Sequence, residues 1–180
     1  MWSLKGSAGR GAKLLLAALV AWATSGCLRP LYGPTASGER LQTVLAQIEV
    51  EKVRTTVNKA HIAHQLRSEL VFDLDGSGTP PPKRYKLSII ARDHIGGAIV
   101  DSVTGRSLSS TLNVDAEYTL TNWDGSQTIT RGTASASASY ERSAQRFAGV
   151  RAARDAEIRA AKLVSEQIKT RLAAALVSKS

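Results

Sequence analysis

Few side chains in this sequence have the types and spacing that catalysis needs. The three histidines are His61, His64 and His94. His61 and His64 could share a metal ion on a predicted helix, but no third ligand follows on the same face. The sequence has no Gly-x-Ser-x-Gly elbow, phosphate-binding loop or His-Glu-x-x-His motif, and no serine has a recognisable base beside it. The residues therefore predict a protein that is not an enzyme, without a cofactor or metal.

Basic side chains are the second candidates for chemistry. Arg84, Lys86 and Arg92 share one phase of a predicted strand. Lysine and arginine pair well with phosphate, so we hypothesise that these three residues bind an anionic ligand. An ordinary solvated polar face is the alternative. Nucleic acid is not favoured as the ligand despite a net charge of +9, because only 5% of residues are aromatic and could stack on bases.

The N-terminal segment is typical of a secretory signal peptide. Lys5, Arg10 and Lys13 are followed by an uninterrupted apolar stretch of 10 residues, Leu14 to Ala23. This stretch is too short to span a bilayer, which needs roughly 20 residues. Its end leads through small residues to Cys27, the only cysteine in the chain. Residues 1–26 are therefore predicted to be removed.

Cys27 is the residue that we expect to be modified. The small residues directly before it resemble the lipobox of bacterial lipoproteins, in which the cysteine thiol is lipidated and becomes the mature N-terminus. Two or three acyl chains would anchor the protein stably without spanning the membrane. Position 28 is Leu rather than Asp, which by resemblance to Gram-negative lipoproteins favours the outer membrane. An ordinary signal peptide with an unpaired cysteine is the alternative.

The mature chain is predicted to consist of a lipidated N-terminus with a linker, residues 27–40, and one domain, residues 41–180. Alternating residues predict a first strand over 44–51. A helix is predicted after an N-cap at Asn58, with Ile62, Leu66 and Leu70 on one face, ending by Asp75-Gly76.

Three further strands and a long helix complete the prediction. The strands cover about 83–99, 108–120 and 128–140, with a turn at 103–106 and a bulge near Arg131-Gly132. The final helix begins after Ser143. Its predicted apolar stripe consists of Phe147, Val150, Ile158, Ala161, Val164, Ile168, Leu172 and Leu176.

The order β-α-β-β-β-α predicts an α+β fold. One parallel crossover and two hairpins give a four-stranded mixed sheet with two α-helices packed on one face. The other face stays open. On it we expect Arg84, Lys86, Arg92 and His94 of the second strand, beside serine, threonine and asparagine residues of the third strand.

Three motifs resemble one known family, the lipopolysaccharide-assembly lipoproteins called LptE, in their alphaproteobacterial form. They are Cys27-Leu28-Arg29-Pro30-Leu31-Tyr32-Gly33, then Ala138-Ser139-Tyr140, and Asp155-Ala156 with Arg159-Ala160-Ala161 on the closing helix. The resemblance implies an outer-membrane lipoprotein that sits in the lumen of the β-barrel LptD and helps this partner assemble. It also implies that the protein receives lipopolysaccharide. The domain would then lie on the periplasmic side or inside the barrel.

Two other functions remain open from the sequence. An accessory lipoprotein of a lipid-transport ABC system would also be an α/β domain on a lipid tether. A lipoprotein hydrolase acting on envelope polymers would need a catalytic set that the residues do not provide. Co-purification with LptD would distinguish an LptE-like protein from the ABC-system lipoprotein. A turnover assay would distinguish it from a hydrolase.

Overall fold

The computed structural model describes residues 38–55, 60–76, 79, 81–100, 102–103, 105, 107–143 and 145–179. All of them belong to one compact unit, residues 34–180. The predicted signal peptide, Cys27, most of the linker and the predicted N-cap Asn58 lie outside the described residues. Among the described residues, no helix is both long and apolar enough to cross a membrane.

The domain begins with a helix where a strand was predicted. Helix α1 spans Leu41–Ala46, and strand β1 is limited to Ile48–Val50. The prediction of a strand over 44–51 was therefore wrong for its first half. Leu41, Val44 and Leu45 are all buried, and their spacing of three and four residues places them on one side of a helix. The alternation that suggested a strand is real only from Ile48 onward.

Helix α2 confirms its prediction. It spans Ala60–Leu74, and the chain turns at Asp75-Gly76 directly after it. Its buried residues follow a strict spacing of four: Ile62, Leu66, Leu70 and Leu74. Between β1 and α2 lies a two-residue strand, β2, at Arg54–Thr55, which was not predicted.

The remaining strands form two long hairpins. Strand β3 spans Tyr85–Val100, β4 spans Ser107–Asn122 and β5 spans Thr128–Glu141. The order in the sheet is β1-β3-β4-β5, with β2 also pairing with β3. Strands β1 and β2 run parallel to β3, whereas both hairpins are antiparallel. The prediction of an α+β fold with a mixed sheet is thereby confirmed, and the third helix α1 is added to it.

The predicted bulge exists but lies earlier in β5. Arg131 and Gly132 pair regularly with Thr119 and Tyr118, and the register shifts between Leu120 and Thr121, where Ile129 is skipped. Ile129 packs against the core, so the extra residue brings it to the buried side. Gly132 instead leaves room for a neighbouring side chain. A Cβ atom at this position would lie only 2.8 Å from the Tyr118 hydroxyl oxygen.

Helix α3 spans Arg146–Lys179 and contacts the core only over its later turns. Phe147 and Val150 were predicted to be buried but are 74% and 63% exposed, and Ile158 is also exposed. Ala156 and Ala160 are fully buried, so Ile158, which lies between them, is on the side of the helix that faces away from the core. Phe147 and Val150 precede Ala156, the first residue of this helix in the buried core. The predicted stripe is confirmed from Ala161 onward.

Candidate functional site

Within the described part of the chain, the helices cover one face of the sheet and leave the other open, as predicted. On β3 the residues Leu87, Ile89 and Ala91 are buried. Since side chains alternate along a strand, Lys86 and Arg92 project from the opposite face. Strand β4 alternates in the same way, and its residues Leu112, Val114, Ala116, Tyr118 and Leu120 are buried. The predicted basic residues thus lie on, or directly beside, the uncovered face.

Arg84 and Lys86 lie together at one end of this face. Arg84 directly precedes β3, its backbone N–H donates to the carbonyl of Gln47 at 2.9 Å, and its carbonyl accepts from the N–H of Trp123 at 2.9 Å. The Lys86 ammonium lies 4.6 Å from the centroid of the Trp123 ring. A cation in that position is attracted to the electron-rich ring by about 0.5–1 kcal/mol at an exposed site. The β4–β5 turn therefore holds the lysine in place without cancelling its charge.

The same turn carries a carboxylate that stays ionised. The backbone N–H of Ser126 donates to Asp124 at 3.1 Å and the Ser126 hydroxyl at 2.9 Å. These hydrogen bonds, the backbone one first, hold the pKa of Asp124 below its ordinary value of 3.8, and the charge of Lys86 adds a smaller contribution. Gly125 follows with a φ of 74°, a conformation that glycine adopts without strain. Local hydrogen bonds and this glycine thus help to fix the conformation of the turn.

Arg92 lies in different surroundings. Its guanidinium donates to the carboxylate of Glu117, and in the register of the sheet it lies opposite Asp115. His94, two residues further along, has its Nδ1 atom 3.9 Å from the carboxylate of Asp115. In the middle of the open face, the charge of Arg92 is therefore already matched by a carboxylate. Six residues of strand separate Arg92 from Lys86, about 20 Å. The structure brings Arg84 and Lys86 together but does not bring Arg92 to them.

A group of basic residues that the sequence analysis did not single out lies at the β2 edge of the sheet. Lys52, Arg54, His64 and Arg67 line a groove between β2 and α2. A spacing of three places His64 and Arg67 on the same side of the helix, which is the one signal that could have indicated the pair. Among the described residues, no group of three or more His, Cys, Asp or Glu side chains could hold a metal ion.

The comparisons with known proteins decide the family. A family model described as LptE, lipopolysaccharide-assembly, matches residues 45–172. The chain belongs to the LptE family. The match covers the whole sheet, helix α2 and helix α3 up to Leu172, which is most of the described domain.

A comparison with solved structures found a similar fold. A lipoprotein from Caulobacter crescentus is 20% identical with a TM-score of 0.60, and the alignment covers 77% of this chain and 97% of that one. A minor lipoprotein from Acinetobacter baumannii is 12% identical with a TM-score of 0.49 over 72% of this chain and 92% of that one. At these identities the first similarity establishes the fold alone. No curated protein matches the sequence significantly.

Proposed function

We propose that this LptE-family protein is an outer-membrane lipoprotein of lipopolysaccharide assembly. In this role it forms a complex with the β-barrel LptD, aids the assembly of that barrel and helps deliver lipopolysaccharide to the cell surface. The family match over residues 45–172 is the observation that carries the proposal. The lipobox-like sequence before Cys27 supports the lipid anchor. The family match also favours this role over that of an accessory lipoprotein in a lipid-transport ABC system.

The open face is the surface that we assign to this role. A domain held near a membrane by acyl chains, with one sheet face uncovered, can act by fitting against a larger partner. Arg84, Lys86 and Arg92 would contact lipopolysaccharide phosphates or acidic groups of the barrel wall. Arg84 and Lys86 are placed to do so directly, whereas Arg92 would first have to exchange its bond with Glu117. Such exposed pairs are worth only about 0–1 kcal/mol, so the exchange costs little.

Affinity purification of the tagged full chain from its native envelope, followed by mass spectrometry, tests the proposal. The N-terminal peptide is expected to begin at Cys27 and to carry acyl chains, and LptD is expected to co-purify. A Cys27→Ser chain, which cannot be lipidated at this position, controls for the anchor. Recovery of ABC-transporter components in place of LptD would contradict the proposed partner.

A further inference from the structure

The groove between β2 and α2 has an unusual charge distribution. It encloses about 720 Å³ and is lined by the basic residues Lys52, Arg54, His64 and Arg67, and none of the described residues that line it is acidic. Its remaining lining is mainly apolar, from Val53, Ala60 and Ala63. The domain therefore concentrates cationic groups around an apolar floor at one edge of the sheet.

Most of these basic side chains have no compensating partner among the described residues. The Arg54 guanidinium donates to the hydroxyl of Ser88 at 3.4 Å. Among the described residues, Lys52, His64 and Arg67 form no hydrogen bond or ion pair through their side chains, and all three are exposed. Arg92 on the open face, by contrast, is paired with a carboxylate. Adjacent like charges repel each other, so an anion bound between them would relieve that repulsion.

The groove continues into an apolar surface along α2. His64 and Arg67 also line a neighbouring depression of about 420 Å³ that includes Val71 and Phe72. The Phe72 ring is 73% exposed and Val71 is 39% exposed, so both could be covered by a ligand. The acidic residue at the far end of this depression, Asp75, is paired with Lys83 at 2.7 Å and does not oppose an anion.

We propose that this continuous surface binds a phosphorylated lipid. The α2 groove, defined by Lys52, His64, Arg67, Val71 and Phe72, would hold the phosphate between the three basic side chains and an acyl chain along the two apolar ones. The charge complementarity selects a phosphate head group, and the adjoining exposed apolar side chains select a lipid over free phosphate. This deepens the proposed function by assigning lipid binding to a surface separate from the open sheet face.

Binding of a fluorescent short-chain phosphatidic acid to the purified full-length lipoprotein in neutral detergent, measured by anisotropy, tests the proposal. The Lys52→Gln/His64→Gln/Arg67→Gln variant is expected to bind about tenfold more weakly or worse, because charge-assisted hydrogen bonds are lost. Phe72→Ser should weaken binding by about threefold, since less apolar surface is covered. The same probe made with neutral phosphatidylcholine should bind weakly to every variant.

A matched control separates the groove from net charge. Arg146→Gln/Arg151→Gln/Lys162→Gln removes three exposed basic side chains from α3, outside the groove, and should bind like the wild type. Equal losses in both triple variants, or no binding by the wild type, would overturn the proposal. Inorganic phosphate competing as strongly as the lipid, with no effect of Phe72→Ser, would overturn the lipid assignment. Co-purification of LptD with the groove variant tests the proposed function separately.

Discussion

A cation on the open face is available to an external anion only if no internal carboxylate already holds it. Lys86 lies against the Trp123 ring, which orients the ammonium but does not neutralise it. Arg92 is bonded to Glu117, so its charge is already compensated inside the protein. The two residues share a strand phase and a charge, yet we expect them to contribute unequally to binding.

The inequality can be measured with glutamine substitutions. Arg84→Gln/Lys86→Gln is expected to weaken retention on immobilised lipopolysaccharide by about three- to tenfold at low salt, since exposed pairs contribute up to about 1 kcal/mol each. Adding Arg92→Gln should change retention little further. The differences should shrink as salt rises, because screening weakens exposed charge pairs.

The charge-matched α3 variant Arg146→Gln/Arg151→Gln/Lys162→Gln serves as the control for this experiment. It should lose less retention than the open-face variants at every salt concentration. If neutralising Arg84, Lys86 and Arg92 together leaves retention unchanged, the open face does not bind lipopolysaccharide, although the family assignment stands.

At the scale of elements, the sequence predicts best where one face is buried along its whole length. The spacing of four in α2 is compatible only with a helix, and the alternation in β4 only with a strand. Both predictions are confirmed. The segment Leu41–Ala46 is short enough to satisfy a period of two and a period of 3.6, so its helix could not be told from a strand. The stripe of α3 was extended too far towards its N-terminus, to Phe147 and Val150, because helical periodicity does not show where along a helix its contact with the core begins.

The sequence predicted on which face of the sheet the basic residues lie, but it did not predict which side chains they contact. Strand phase alone places Arg84, Lys86 and Arg92 on or beside the uncovered side. Whether Arg92 meets Glu117 depends on the register of β3 against β4, which the connecting turn sets and the sequence does not specify. The groove beside α2 depends on a two-residue strand, β2, which is too short to be recognised from its sequence.

The free edge of β5 is protected by side chains of α3. Arg159 donates to the carbonyl of Ser139 at 2.9 Å, Gln167 donates to the carbonyl of Ser135 at 2.9 Å, and Arg171 donates to the carbonyl of Thr133. The backbone N–H of Ser135 also lies 3.4 Å from the Gln167 side-chain oxygen. Unpaired strand edges invite pairing with other chains. The helix therefore both covers the sheet and limits its growth at this edge.

Substitution by alanine should change the stability of the domain in opposite directions at two glycines, Gly132 in β5 and Gly149 in α3. Gly132→Ala is expected to lower the free energy of unfolding by about 1–3 kcal/mol, because its Cβ would meet the buried Tyr118 ring and force it to move. Gly149→Ala, in α3, has no neighbouring atom closer than 3.8 Å and should raise it by about 0.5–1 kcal/mol through helix propensity. Urea unfolding followed by circular dichroism measures both. A neutral Gly132→Ala would show that Tyr118 has room to shift.

At the scale of the whole molecule, the residues that form the core and the residue that is predicted to anchor the protein lie in different parts of the sequence. The described core lies entirely within residues 41–176, from Leu41 to Leu176, and the family match begins only at residue 45. All of these core residues follow the predicted anchor, Cys27, in the sequence. The predicted lipid anchor should therefore determine where the protein resides and leave the stability of the domain unchanged.

Cys27→Ser tests this separation. In the full chain the substitution removes the thiol that we expect to be acylated, and with it the binding energy of about 0.8 kcal/mol for each buried methylene group. The variant should leave the membrane fraction for the soluble fraction of the envelope, while the purified protein keeps the Tm of the wild type. Immunoblots of separated fractions and thermal unfolding in the same neutral detergent measure the two properties. A variant that stays in the membrane without acyl chains would show that the protein is held there by a partner, and a lowered Tm would show that the anchor contributes to folding.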